Sequence, residues 1–303
     1  MNELLLVDRI RRLAGAGRPR DLIRSIGDDC AVLRPQSGSE DVLVTTDLLV
    51  EGAHFRRGTH TAAQTGYKAL ARALSDIAAM GGAPRWCLLS LALPEWADFR
   101  WIRGFYDGFL GLARTARTTL IGGDLARSTL LACDVVLIGG APKGKALRRD
   151  TARAGDRIFV SGGLGGSALG LERGSGIAWR KHVRPEPRLG LGQFLRSRRL
   201  ATACIDLSDG LSIDLHRLCR ESGVCARLDK PLPVFRGATL DQALHGGEDY
   251  ELLFTAPANS PVPRSAHGVP LTCIGRIERG RRGRVLLMDR PLAPLGYDHF
   301  RKP

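Results

Sequence analysis

Lysine is scarce in this chain: only six of its 45 basic residues are lysines, at 68, 143, 145, 181, 230 and 302. Aromatic residues are also few, at 6%. The formal charge of +14 favours anionic partners. The arginines, however, are scattered and lack the aromatic interleaving that stacks bases, which argues against a dedicated nucleic-acid role. A biased proteome composition is the plainer source of the charge. No C-x-x-C pair occurs among the seven cysteines, and most lie in apolar runs such as Trp86-Cys87-Leu88 and Ala203-Cys204-Ile205. They read as small core residues of a reduced, cytoplasmic protein. The longest apolar stretch, around 130–141, is interrupted by Asp134 and is too short to cross a bilayer. Charged residues at Asp8, Arg9, Arg11 and Arg12, close to Leu4-Leu5-Leu6-Val7, deny the start a signal-peptide layout. No Walker A loop, kinase H-R-D or D-F-G set, or Ser/His or Cys/His arrangement stands out.

What is present is an α/β pattern. At 303 residues and 44% hydrophobic content the chain is long enough for two domains. Gly139 to Lys145 (GGAPKGK) has linker composition, dividing the chain into 1–141 and 142–303. Apolar spacing predicts helices over 2–13, 62–80, 96–117, 167–172 and 188–199. Strands are expected at 42–47, 86–92, 118–124 (ending in glycines and Asp124), 130–138 and 156–161, with a late one at 272–277. Gly163 to Ala168 fits the loose G-x-G-x-x-G/A pattern. No strand ends in an acid about twenty residues on, so a glycine turn packing a helix closely on a sheet is the better reading.

Carboxylates accumulate beside Gly, Ser or Thr at the edges of apolar segments: Asp28, Asp29, Asp47, Asp76, Asp124, Asp206, Asp209, Glu248 and Asp249. Each alone has a bland reading. Asp28-Asp29 suits a solvated turn, and Ser208 or Asp209 could cap the helix that follows. Asp76 is harder to dismiss, because it sits between Leu74 and Ile77 on a helix and costs free energy unless paired or metal-bound. Many acids converging at sheet edges would repel one another. Oxygen-only ligands without His/Cys clusters point to Mg²⁺ or Mn²⁺, which usually hold phosphates.

The segments IGDDCAVL, TTDLLVEGAHF, GYKALARALSDIAAMGG, LIGGDLARS, CIDLSDGLSIDL, HGGEDYELLFT and GYDHF occur in this order over about 24–300. Together they resemble the thiamine-monophosphate kinase family, within the superfamily of aminoimidazole ribonucleotide synthetase and selenophosphate synthetase. The resemblance implies an N-terminal α/β domain that dimerises through its sheet, forming a β-barrel across the two-fold, and a second α/β domain packed against it. It implies ATP-dependent phosphorylation of thiamine phosphate with several Mg²⁺ ions. The reaction would be a metal-assisted transfer without a nucleophile or acid/base residue. By motif position, Asp29, Thr45, Thr46, Asp47, Asp76, Asp124, Asp206 and Asp209 look like the metal set. Gly123, Arg149 and Ser208 resemble ATP contacts, and His54, Glu248 and Tyr297 resemble thiamine-phosphate contacts. The rival readings are another ATP-dependent enzyme of the superfamily and a non-catalytic basic nucleotide- or nucleic-acid-binding protein.

Overall fold

The computed structural model describes residues 3–14 and 19–300. In chain order the first half holds α1 (Glu3–Ala14), β1 (Leu22–Arg24), β2 (Ala31–Leu33), β3 (Glu40–Val50), α2 (Ala62–Ala79), β4 (Ala83–Leu93), α3 (Phe99–Thr115), β5 (Thr119–Arg127) and β6 (Ala132–Pro142). The second holds β7 (Arg157–Ser161), α4 (Gly166–Arg173), α5 (Gly176–Val183), α6 (Leu189–Ser197), β8 (Ala203–Asp206), α7 (Leu211–Ser222), β9 (Cys225–Leu228) and α8 (Leu240–His245). It continues with β10 (Leu252–Ala256), β11 (Ser265–Ala266), β12 (Val269–Glu278), β13 (Val285–Leu287) and β14 (Arg290–Pro291).

The first-half strands make one six-stranded sheet in the order β1-β2-β3-β6-β4-β5, parallel only between β4 and β5. β3 alternates because its odd residues face the core: Leu43, Thr45 and Leu49 are buried, whereas Leu48 on the other face is exposed. Helices α2 and α3 cover the core face, with Leu70, Leu74 and Ile77 packed against Phe105, Phe109, Val135 and Leu137. The opposite face stays open, exposing Leu48 and Trp86, and edge strand β5 exposes Ile121 and Leu125. This sheet is open, and no barrel closes among the described residues.

The second sheet runs β14-β13-β9-β12-β7-β10-β8. A core of Phe159, Leu191, Leu195 and Phe254 admits Ala78 and Ala79 from the end of α2, so that helix joins both halves. Gly192 permits this approach, since a Cβ there would stand 1.9 Å from the Ala78 carbonyl oxygen.

Several expectations shift. The glycines of the expected linker lie inside β6, where Gly139 is registered between Leu43 and Pro84 and Gly140 between Val42 and Ala83. The 2–13 helix appears as α1, its expected first residue lying outside the described residues. It buries no side chain and is tied to α7 by Arg11–Glu221 at 3.1 Å, Arg217–Glu3 at 3.3 Å and Arg220–Asp8. Helix α5 was not anticipated; its eight residues include two histidine or lysine positions and a tryptophan that blur the apolar stripe.

Candidate active site

α2 begins with a capping box at Thr61 and Gln64. It carries Lys68, Arg72 and Asp76 at four-residue intervals, which places them on one face. Each meets a partner from another element. Lys68 Nζ is fully buried, pairs with Glu248 Oε2 at 2.8 Å and donates to the His54 carbonyl at 2.9 Å. Arg72 Nη2 meets Asp47 Oδ1 at 3.1 Å. Asp76 accepts from Thr45 Oγ1, and neighbouring Ser75 donates to Asp206 Oδ2 at 2.6 Å.

A tight turn at Gly27, with φ of 115°, presents Asp28 and Asp29 to Arg149. Arg149 Nη2 lies 2.6 Å from Asp29 Oδ1, and Arg24 lies 3.2 Å from Asp28. On the other side β8 ends at Asp206. The next loop is shaped by Asp214, which accepts from the backbone N–H groups of Asp209 and Gly210 at 3.0 and 3.1 Å. Gly210 is the cap residue of α7, so neither Ser208 nor Asp209 caps it. Asp209 instead pairs with Arg217.

These elements bring one carboxylate oxygen each from Asp29, Asp76 and Asp206 within 4.8 Å of one another. Burial, then repulsion from neighbouring acids, pushes Asp76 and Asp206 well above the usual carboxylate range. Burial likewise raises Asp28 to about 7 despite Arg149. Asp29 Oδ2 is buried with no hydrogen-bond partner. Crowded carboxylate oxygens, one of them buried without a partner, with flanking hydroxyls fit a hard divalent cation and no softer metal.

Two cavities meet at this cluster. One, of about 360 Å³, is lined by Ile26, Asp29, Thr45, Thr46 and Arg149. The other, of about 300 Å³, is lined by Asp47, His54, Arg72, His182, Glu248 and Tyr297. Asp76, Asp206 and Ser208 line both. Glu248 enters the second cavity from a left-handed backbone, φ 66°, that a non-glycine residue adopts only under local constraint. Burial would raise its carboxyl, but the Lys68 ammonium, joined by Arg72, outweighs it and holds it low. Burial drives His54 down to about 3 and His182 to about 4, so both rings are neutral. At the cavity mouth Tyr297 and His299 stack edge to face, and His299 lies 5.0 Å from the His54 ring.

The family model for the AIR synthase related protein N-terminal domain matches residues 27–141. Thiamine-monophosphate kinase of Salmonella typhimurium is 40% identical, with 93% of this chain and 94% of that protein aligned. The Aquifex aeolicus protein of the same name is 33% identical over 99% and 98% of the two chains. The chain belongs to the thiamine-monophosphate kinase family. A solved structure described as AaThiL complexed with AMPPCP and TMP superposes with a TM-score of 0.87, at 32% identity, covering 99% of this chain and 97% of that one.

Of the residues that the resemblance to this family singled out, all but Gly123 and Asp124 line one of the two cavities. Those two sit on the exposed edge strand β5, paired with Leu89 and Ser90. Asp124 accepts from its own neighbour's N–H, at Leu125. The ladder nevertheless sets Asp124, Ser90 and Asp134 in one row, and Thr46 donates to Asp134 at 2.6 Å. Sequence reasoning passed over Lys68, Arg72, His182, Asp214 and Arg217. For the first two a signal was there: cations at four-residue spacing from Asp76 on an otherwise apolar helix. The Gly163–Ala168 turn does open α4. Asp249 accepts from Gly165 and Ser167 N–H groups at 2.5 and 3.0 Å, so the helix end is already occupied by a carboxylate of the chain itself.

Proposed function

We propose that this chain transfers the γ-phosphoryl group of ATP to thiamine phosphate, giving thiamine diphosphate and ADP. The observation that carries it is the pair of cavities sharing the wall of Asp76, Asp206 and Ser208. Two phosphorylated ligands, one in each, would bring their phosphates together there. The cavity with Arg149 takes ATP, and Ser208 faces both ligands. The cavity with His54, Glu248 and Tyr297 takes thiamine phosphate.

Asp29, Asp76 and Asp206, with Thr45, Thr46, Asp47 and Asp209 around them, would hold Mg²⁺. When bound, it neutralises the charge that makes the two phosphates repel. Gly123 and Asp124 join the nucleotide side through the polar row that reaches Thr46. The acceptor phosphate has a second pKa of about 6, so its oxygen is already anionic at neutral pH and needs no general base. That oxygen bonds to the γ-phosphorus as the bond to the β–γ bridging oxygen breaks, and ADP leaves. Arg149, beside Asp29, would hold the nucleotide and offset negative charge as the bond breaks.

The open sheet face and the exposed edge strand β5 support a homodimer, whose second copy would cover Leu48, Trp86 and Ile121 and close a barrel. We assign residues 1–141 to the dimerising, nucleotide-binding domain and 142–303 to the second α/β domain. Seven free cysteines suit a reducing, cytoplasmic setting.

Purified protein incubated with ATP, Mg²⁺ and thiamine phosphate is expected to form thiamine diphosphate. A product from another acceptor, with none from thiamine phosphate, would support the superfamily rival. With a chiral γ-phosphate, inversion is expected and retention would mean a phosphoenzyme. Asp47→Asn is expected to remove turnover with the fold intact.

A further inference from the structure

Arg72 is a buried guanidinium with unused donors. One of its nitrogens reaches Asp47, while Nε and Nη1 are shielded from solvent and have no hydrogen-bond partner among the described residues. A buried cation left with spare N–H groups is costly unless something else accepts from them. The residue lines the cavity of about 300 Å³ beside Asp47, Asp76, Asp209, Glu248 and Tyr250. Asp47, Glu248 and Asp209 favour its charged form against burial.

Its place along α2 is informative. Lys68 stands one turn before it, holding Glu248 Oε2, and Asp76 one turn after it, in the carboxylate cluster. One turn is about 5.4 Å of rise. The helix face therefore runs from the organic end of the cavity, through Arg72, to the wall shared with the other cavity. Glu248 Oε1 is likewise buried without a partner, so it offers an acceptor at the organic end. A ligand with a donor or cationic group at one end and a phosphate at the other matches this order of acceptor, cation and metal-ready carboxylates.

We infer that Arg72 anchors the acceptor phosphate of the second substrate, an inference resting on the proposed thiamine-phosphate kinase reading. Asp47 and the phosphate then compete for one guanidinium. A cation that engages Asp47 frees Arg72 to turn its planar fork to the phosphate, the geometry that arginine satisfies and lysine does not.

The test compares binding of thiamine phosphate with binding of unphosphorylated thiamine, by calorimetry at fixed Mg²⁺ without ATP. The wild type is expected to prefer thiamine phosphate by at least tenfold. Arg72→Gln is expected to erase that preference while leaving thiamine affinity within about twofold, and Arg72→Lys to keep only part of it. A variant that retains the wild-type preference overturns the inference. So does an Arg72→Gln protein that loses both ligands equally, since Arg72 would then be only a strut for Asp47. Thermal melting separates that case from misfolding, and Arg72→Lys keeps the charge if Arg72→Gln does not fold. If the wild type binds neither ligand, the substrate reading itself fails.

Discussion

The shared wall and the substrate-side cavity treat their acids differently. In the cavity, Glu248 is matched by Lys68, Asp47 by Arg72 and Asp209 by Arg217. At the wall, Asp76 and Asp206 have hydroxyl partners but no cation. Lys68 keeps Glu248 low against burial, whereas burial still raises Asp47 beside Arg72. Asp76 and Asp206, with no ion pair of their own, are pushed toward protonation, which a bound cation or a higher pH reverses. On the proposed function, the first arrangement serves recognition and the second catalysis within one cleft.

Breaking the wall should have the largest effect. Asp206→Asn is expected to lower kcat by at least about 1,000-fold, equivalent to about 4 kcal/mol of barrier. The metal-free protein should gain stability from the same change. Asp206 has a raised pKa in the fold, so its ionisation opposes folding as pH rises toward that value. Melting in chelator should therefore show Asp206→Asn above wild type at pH 8 and the gap narrowing toward pH 5. A lower melting temperature at pH 8 would remove the contrast between wall and cavity.

Breaking a cavity pair should cost stability instead. Lys68→Met leaves Glu248 buried without its cation, and removing one partner of such a pair costs about 3–5 kcal/mol. The double variant Lys68→Met/Glu248→Gln should recover most of this in urea unfolding. Equal losses in single and double variants would show that Lys68 acts through packing alone.

How much of this was readable beforehand divides along the same line. The carboxylate cluster was legible, because Asp29, Asp76 and Asp206 each sit in a short polar break of an apolar segment, and such breaks stand out one at a time. The pairings were not. Lys68 with Glu248 spans 180 positions, and Arg217 with Glu3 spans 214, so only the folded chain shows which cation serves which acid. The fold class was legible from strand and helix periods. The true end of β6 was not, because two glycines that look like a hinge are held by ladder bonds on both sides.

A smaller effect distinguishes the two cavities by ligand. Arg149 lines only the cavity proposed for the nucleotide. Arg149→Gln is expected to raise the ATP KM about tenfold, roughly one charge-assisted contact of 1.4 kcal/mol. The KM for thiamine phosphate should stay within twofold. A rise in both would mean that the guanidinium serves the wall and not one ligand.

The smallest effect concerns pH. His54 accepts from the Val50 N–H at 3.0 Å through Nδ1, which leaves its proton on Nε2. With pKa values driven down to about 3 and 4, His54 and His182 stay neutral through the working range. A lowered histidine stabilises the fold above its unfolded pKa of about 6.5, and that contribution fades as pH falls toward 3–4. Neither ring should therefore shape the acid limb of kcat/KM for thiamine phosphate. The limb should instead follow the acceptor phosphate, near its second pKa of about 6. His54→Asn is expected to raise KM two- to fivefold and to leave the limb in place. Because the neutral ring contributes contact and not charge, a limb that moved by half a pH unit or more in this variant would show that His54 titrates during turnover. The cavity would then contain a proton carrier as well as paired charges.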